Sequence, residues 1–399
     1  MDAFFAAVEI RDDPSLRGKP LIIGSLPSER GVVATASYEA RKYGVRSAMN
    51  IKEAYRRCPR GVYMHPNIDK YRAVSRQLRA IWGSYADAVE TVAFDEAYLD
   101  VTRTAGDFDS AARMGREIKR RIREELRLSC SVGVAYSKSA AKTASEEKKP
   151  DGYFEIRTPE DFAALIEDRD VRVLSSVGEM TAEKLHSRGI RTVRDVRTRS
   201  DEVIRLLGKQ GEWITGLARG VDEREVTPYR PEDAQSIGRE VTFQEDVNDF
   251  SLLRDILVVL SICVAARAKR VGLHGGGVTL KLTYADMRAV SRSRQVRSAD
   301  HPAEIFAHAS DMLSLVERRP VRLIGAGIYD LSPELALQLS FDDVFSDAPP
   351  PDEQLGSLLD ELGERYGMDF RGNVDKLAQT GVLHRTVEYM RKRAAAAKE

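Results

Sequence analysis

Apolar and polar positions along the chain fall into blocks of different period. Up to about residue 66, short apolar runs at 20–24 and 31–35 predict strands, and a helix opens near Ser37. From Tyr71 to Tyr153, apolar strands alternate with amphipathic helices, the clearest over 108–126. On that helix Ala112, Ile118 and Ile122 form a core-facing stripe, while Arg116, Lys119, Arg120 and Arg123 face solvent or a ligand. This alternation predicts an α+β layer. Residues 158–222 read as short helices with glycine-bearing turns, and the polar stretch 222–235, with Pro228 and Pro231, reads as a linker.

After the linker the pattern is β-α-β-β-α-β: strand 236–243, helix 250–271, strands 277–284 and 289–296, helix 302–318 and strand 321–329. Val278, Leu280 and Leu282 alternate with Thr279, Lys281 and Thr283, which gives one apolar and one polar sheet face. Beyond Asp330 the chain turns acidic and passes Pro349-Pro350-Pro351. A helix carrying Leu355, Leu358, Leu359 and Leu362 follows, and the end, 391–399, is expected to fray.

A chain of 399 residues predicts two to four domains. The longest apolar run, 256–266, is too short to span a bilayer and contains Ser261, so it predicts a buried helix. Cys58, Cys130 and Cys263 form neither a CxxC pair nor a disulfide framework, and the six histidines show no metal-ligand spacing. Met1-Asp2 opens no secretory signal, so a cytoplasmic protein away from membranes is expected. The 62 basic and 62 acidic residues cancel to a net charge of zero. That zero conceals segregation: 267–297 carries eight Lys/Arg against Asp286, and 330–369 carries eleven acids against Arg365.

The chemistry centres on Asp95-Glu96, within 90–100. Neighbouring side chains on a straight strand point to opposite faces, so these two converge only at a strand end or bend. There, two hard anionic oxygen donors suit Mg²⁺, which takes few protein carboxylates together with substrate phosphates. Taken alone, such a pair is more often an ordinary surface turn.

Four further blocks change that weighting. They are Asp2-Ala3-Phe4-Phe5-Ala6-Ala7-Val8-Glu9; Pro14-Ser15-Leu16-Arg17-Gly18-Lys19-Pro20; Ser37-Tyr38-Glu39-Ala40-Arg41-Lys42-Tyr43-Gly44-Val45-Arg46-Ser47-Ala48-Met49; and Lys142-Thr143-Ala144-Ser145 leading to Lys148-Lys149-Pro150. In this order and spacing the sequence resembles the Y-family DNA polymerases of the DNA polymerase IV type, from Asp2 to at least Tyr329. The resemblance implies an α+β multidomain right hand. A ferredoxin-like palm would take 1–8 and 67–156, and small fingers 9–66. A helical thumb with a helix-hairpin-helix would take 157–228, a little finger 235–331, and an acidic tail 332–399.

It further implies low-fidelity, template-directed DNA synthesis past damaged bases, on primer-template DNA and deoxynucleoside triphosphates, by a monomer using two Mg²⁺ ions. Asp95 and Glu96 match the metal-binding pair. Phe5 matches the aromatic gate that excludes a ribose 2′-hydroxyl. Thr35, Tyr38, Arg41 and Lys149 match residues that grip the triphosphate, roles suited to hydroxyl donors, a guanidinium fork and a point charge. The plainer readings are core packing for Phe5, a half-buried helix start for Tyr38 and a solvated helix face for Arg41. In 177–185, Gly178 marks a hairpin that offers backbone N–H groups to a DNA phosphate. Ser176 stands there for the usual glycine and Glu179 for the usual lysine. Arg288, Arg292 and Arg294 at even positions, with Lys281 on the polar face, suit sequence-independent phosphate contact. Gln338, Leu339 and Phe341 resemble a sliding-clamp docking peptide; a short strand continuing the domain is an equally good reading.

One departure matters. The family's first metal ligand is an Asp two positions before Asp2, which would fall just ahead of Met1, together with most of the central palm strand. A palm lacking that strand exposes apolar area and unpaired backbone groups. Two explanations follow: a start placed downstream of the true one, or a catalytically impaired Y-family-like protein that binds DNA. A nucleotide cyclase, which also uses paired acids, fits less well because it needs no thumb or little finger.

Overall fold

The computed structural model describes residues 1–333, 350–379 and 381–397. These form two compact units, Met1–Tyr229 and Arg230–Glu399.

The first unit opens with helix α1 (Phe4–Asp12), which buries Phe4, Ala6, Val8 and Glu9. Strand β1 (Leu21–Gly24) lies between antiparallel β2 (Val33–Ala36) and parallel β3 (Val62–Met64), and is buried at all four positions. A side chain at Gly24 would meet the Val32 carbonyl at 2.4 Å, so glycine alone fits the register shift there. Ser37 caps α2 (Tyr38–Arg41) by accepting the Ala40 amide, and it accepts the Leu21 amide as well, which ties the helix start to β1.

Next come α3 (Ile51–Arg57), α4 (Ile68–Gly83) and the hairpin of β4 (Ala88–Thr91) with β5 (Ala97–Asp100). After α5 (Thr102–Ala105), helix α6 (Phe108–Leu126) buries the predicted Ala112, Ile118 and Ile122. Its basic side chains meet acids at the surface. Arg116 pairs with Glu155, Arg120 with Glu117 and Glu124, and both Lys119 and Arg123 with Asp151. Lys119 also donates to the Cys130 carbonyl at 2.7 Å. Strand β6 (Val132–Ala135) pairs in parallel with β7 (Tyr153–Ile156) across helix α7 (Lys138–Glu147).

Helices α8 (Pro159–Ile166), α9 (Glu179–His186), α10 (Val193–Thr198), α11 (Ser200–Leu207) and α12 (Lys209–Ala218) share a core that includes Ala140 and Ala144 of α7. The predicted linker begins later than its composition suggests, because 222–227 is fastened to this unit. Asp222, with a side chain 1% exposed, accepts the Ser139 amide at 2.8 Å and is paired with Arg224; Glu90 accepts the Thr227 amide at 2.9 Å.

In the second unit, β8 (Ser236–Val247), α13 (Phe250–Val271), β9 (His274–Tyr284), β10 (Ala289–Gln295), α14 (Pro302–Ser314) and β11 (Val321–Ser332) give the expected β-α-β-β-α-β, in the antiparallel order β10-β9-β11-β8. Helix α13 holds the run 256–266 and is apolar on more than one side, so the sheet covers only part of it. The remainder is covered by α15 (Pro351–Tyr366), α16 (Val374–Leu377) and α17 (Val382–Ala396), whose Leu359, Leu362, Tyr366, Leu377, Leu383, Val387 and Met390 join one core with α13. Buried Asp255 of α13 accepts Arg365 Nη1 at 2.5 Å and the Tyr366 hydroxyl at 2.7 Å.

The helix expected around Leu355, Leu358, Leu359 and Leu362 is thus present as α15, with Asp352, Glu353, Asp360, Glu361 and Glu364 on its exposed side and its apolar stripe in the core that contains α13. The end expected to fray stays helical to Ala396, with Arg391 bonded to Glu245 and Glu388.

Leu383→Ala should destabilise the second unit by about 2–5 kcal/mol, through lost burial and the cavity left behind, measured by denaturant unfolding. Burial pushes the Asp222 carboxyl up, but Arg224 and the Ser139 hydroxyl and amide outweigh it and hold it well below the usual carboxylate range. Its stabilising contribution is thus complete above the unfolded value of about 3.9 and is lost as pH falls through the folded one. Asp222→Asn should flatten the acid limb of a stability–pH curve, and an unaltered limb would contradict the assignment.

Candidate active site

Asp95 and Glu96 lie in the bend between β4 and β5, as their convergence requires. The bend is shaped by the Val92 amide donating to the Glu96 carbonyl at 2.9 Å and by the Ser75 hydroxyl donating to the Phe94 carbonyl at 2.5 Å. Each carboxylate faces a cation. The Met1 ammonium donates to the Asp95 carbonyl at 2.8 Å and sits 3.5 Å from its Oδ2. Lys142 Nζ lies 2.5 Å from Glu96 Oε1 and 3.5 Å from Glu146, which Lys149 approaches at 2.6 Å.

Burial works against the Lys142 ammonium, yet Glu96 and then Glu146 hold its pKa above that of an ordinary lysine. Burial likewise raises Glu146, but Lys149 and Lys142 bring it below the usual carboxylate range. A lysine thus already sits on the pair, and its donors are hard oxygens. That chemistry fits a divalent cation shared with phosphate oxygens. Among the described residues, no third His, Cys, Asp or Glu joins them as a ligand cluster.

A cavity of about 970 Å³ opens beside the pair, lined by Asp95, Glu96, Lys142 and Lys149 and by the whole of β5 and β6. Strand β5 pairs with β4 and β6 with β7, and among the described residues neither has a ladder on its other edge. The opening is therefore a gap in a sheet, flanked by two unpaired strand edges. Asp2 is buried and spent on structure. One carboxylate oxygen accepts the Ser131 hydroxyl and the other the Asp151 amide, both at 2.8 Å. That engagement leaves it a poor stand-in for a metal ligand.

Phe5, Thr35, Tyr38 and Arg41 do not line the cavity. Phe5 is half-buried, stacked on Tyr71 with ring centroids 4.1 Å apart, and 6.1 Å from the ring of Phe94, the residue before Asp95. Thr35 pairs with Ile23 on β2. Arg41 lies over the Tyr38 ring at 4.6 Å and donates to the Ala36 carbonyl. Burial, then the nearby Asp2, pushes the Tyr38 hydroxyl pKa up against the pull of Arg41.

Gly178 is the N-cap of α9, and Ser176 keeps a left-handed backbone (φ 72°) at the position the resemblance gives to glycine. Arg292 and Arg294 share a strand face, opposite Leu280 and Val278, so they project at the edge of the helix-covered side. Lys281 lies opposite Ser291 on the open face and pairs with Glu240 at 2.8 Å; Arg294 pairs with Asp311, and Arg288 with Glu317. The basic set is thus split over both faces. Gln338, Leu339 and Phe341 lie outside the described residues.

Sequence reasoning assigned no role to Lys142, Glu9 or Tyr71. For Lys142 a signal existed: with Glu146 one turn on and Lys149 beyond, it forms a ladder of alternating charge. The contact between Glu9 and Tyr71 joins distant positions and left no local pattern.

The impB/mucB/samB family matches residues 1–146, and the impB/mucB/samB family C-terminal domain matches 234–341. The chain belongs to this family, and is a Y-family polymerase by sequence and fold. It is 42% identical to the DNA polymerase IV of Halorhodospira halophila over 87% of this chain and 96% of that protein. It is 41% identical to the DNA polymerase IV of Listeria monocytogenes, over 84% and 94%. Among solved structures it is similar to a Y-family DNA polymerase chimera of Dbh and Dpo4 (TM-score 0.75, 28% identity, 82% of this chain and 96% of that one). An insertion ternary complex of Dbh DNA polymerase matches at TM-score 0.60 and 27% identity, with the same coverage.

The unpaired edges of β5 and β6 predict that an apolar strand of four to six residues ending in Asp, joined ahead of Met1, fills the gap. Tm should rise by several degrees, roughly 2–4 °C per kcal/mol gained. The same extension ending in Asn should raise Tm equally without the gain in primer extension given by Asp. Equal activity of the two forms would contradict a metal-ligand role for the added carboxylate.

Proposed function

We propose that Asp95 and Glu96 are the metal-binding carboxylates of a DNA-directed DNA polymerase that extends primers past damaged template bases at low fidelity. Bound Mg²⁺ would supply charge stabilisation to the attacking and leaving oxygens of nucleotidyl transfer. The chain's own residues do the rest. The β4–β5 bend would present both carboxylates to the cavity they line, and Lys142 and Lys149 would hold positive charge where a triphosphate arrives. Tyr38 and Arg41 offer a hydroxyl and a guanidinium to its phosphates, with Thr35 beside them. Phe5 places an aromatic edge beneath the sugar.

Residues 1–8 and 67–156 would then be the palm, 9–66 the fingers, 157–228 the thumb and 235–331 the little finger. Gly178 and the basic side chains Lys281, Arg288, Arg292 and Arg294 would contact the backbone of primer-template DNA. The helical segment after 350 is a cap on the little finger. A monomer in the cytoplasm, with a sliding clamp engaged through 338–341, completes the reading.

The observation that carries this function is the charge-matched carboxylate pair at a sheet gap, in a chain alike along most of its length to DNA polymerase IV proteins. Primer extension with the purified protein should require Mg²⁺ and fall by at least about 10²-fold in Asp95→Ala. Equal extension by wild type and variant would overturn the assignment. For DNA binding, Arg292→Glu with Arg294→Glu should reduce the slope of log K against log salt by about 2, since each phosphate contact contributes close to one. An unchanged slope would remove this edge from the DNA interface.

A further inference from the structure

We propose that Glu9 is a positioning residue for sugar selection, acting through Tyr71 on the ring of Phe5. The inference rests on the reading of Phe5 as the gate under the incoming sugar. A gate that separates nucleotides by one oxygen atom must hold its ring to a fraction of an ångström, because displacements near 1 Å can cost about 10²-fold.

The structure shows what holds this ring. Phe5 stacks on Tyr71 almost in parallel, at 13°, so the height of the gate is set by the tyrosine beneath it. Phe94 and Phe4 meet Phe5 at tilted angles and limit its sideways travel. Tyr71 is fully buried, and its hydroxyl donates to Glu9 Oε1 at 2.8 Å. Glu9 is itself 6% exposed, and its second oxygen accepts Lys70 Nζ at 2.7 Å; Lys70 also reaches Asp12 at 3.4 Å.

Burial and the Glu9 acceptor push the Tyr71 pKa up, so the hydroxyl stays protonated and donating. Glu9 lies one helical turn beyond Phe5 on α1, while Lys70 and Tyr71 are neighbours on α4. The clamp therefore ties the helix that carries the gate to the helix on which the gate rests. A buried ion pair is seldom the cheapest way to stabilise a core, since apolar residues of similar volume commonly do as well or better. A carboxylate that both fixes a tyrosine hydroxyl and recruits its own lysine is suited to setting a position.

The test is nucleotide binding to the protein with a dideoxy-terminated primer-template, which needs no chemistry. Dissociation constants are measured for one deoxynucleotide and for the ribonucleotide of the same base. Tyr71→Phe keeps the ring and removes the tether; Glu9→Gln keeps the shape and releases Lys70. In both, the ribo-to-deoxy ratio should fall about three- to ten-fold with deoxynucleotide affinity changed less than about two-fold. Both effects should disappear in the Phe5→Ala background, which itself loses discrimination.

The proposal is overturned if Glu9→Gln and Tyr71→Phe, each folded by circular dichroism, keep the wild-type ratio while Phe5→Ala loses it. It is equally overturned if both nucleotides weaken together, the signature of a merely structural role. Should Phe5→Ala keep the ratio, the gate reading fails first, and the proposal with it.

Discussion

Two neighbouring carboxylates on the same side of a bend repel one another unless cations face them, and the first unit is arranged around that constraint. Asp95 and Glu96 are neighbours in the β4–β5 bend, and Lys142 answers the charge of Glu96. Lys142 is placed by α7, whose first turn is held by Asp222 and whose inner face joins the core of α8–α12. The ladder Glu96–Lys142–Glu146–Lys149 thus links the chemistry to the packing of the helical region after residue 158.

Charge in the second unit follows a different logic. The zero net charge of the chain conceals a basic stretch, 267–297, and an acidic one, 330–369. Five of the acids, Asp352, Glu353, Asp360, Glu361 and Glu364, are exposed on α15, whose leucines join the core that contains α13 and α14, while the bases occupy both sides of an edge hairpin and are partly offset by Glu240, Asp311 and Glu317. Local pairing therefore tempers a patch that its count alone would make strongly positive.

The elements were legible wherever period and capping agreed. Helix α6 has its predicted bounds because one apolar stripe and Asp107 at its N-cap specify it, and the β-α-β-β-α-β order followed from alternation such as Val278, Leu280 and Leu282. The placing of Asp95 and Glu96 at a strand end or bend was legible from strand geometry alone. What escaped the sequence depends on contacts between distant segments. The fold of the acidic tail is one case, since a stripe of leucines does not name its partner. The split of Lys281 from Arg292 and Arg294 is another, because a one-residue change of register moves a side chain to the other face. The burial of Glu9 under Tyr71 joins positions far apart along the chain.

The central claim is that Asp95 and Glu96 jointly hold divalent cations with an incoming nucleotide. Electron paramagnetic resonance of Mn²⁺, titrated into the protein with a dideoxy-terminated primer-template and a deoxynucleotide, reads that directly. Wild-type protein should bind Mn²⁺ in a nucleotide-dependent manner, and Asp95→Asn or Glu96→Gln should weaken that binding at least about ten-fold, the scale of losing one charged ligand. Nucleotide-dependent Mn²⁺ binding of equal strength in both variants would contradict it.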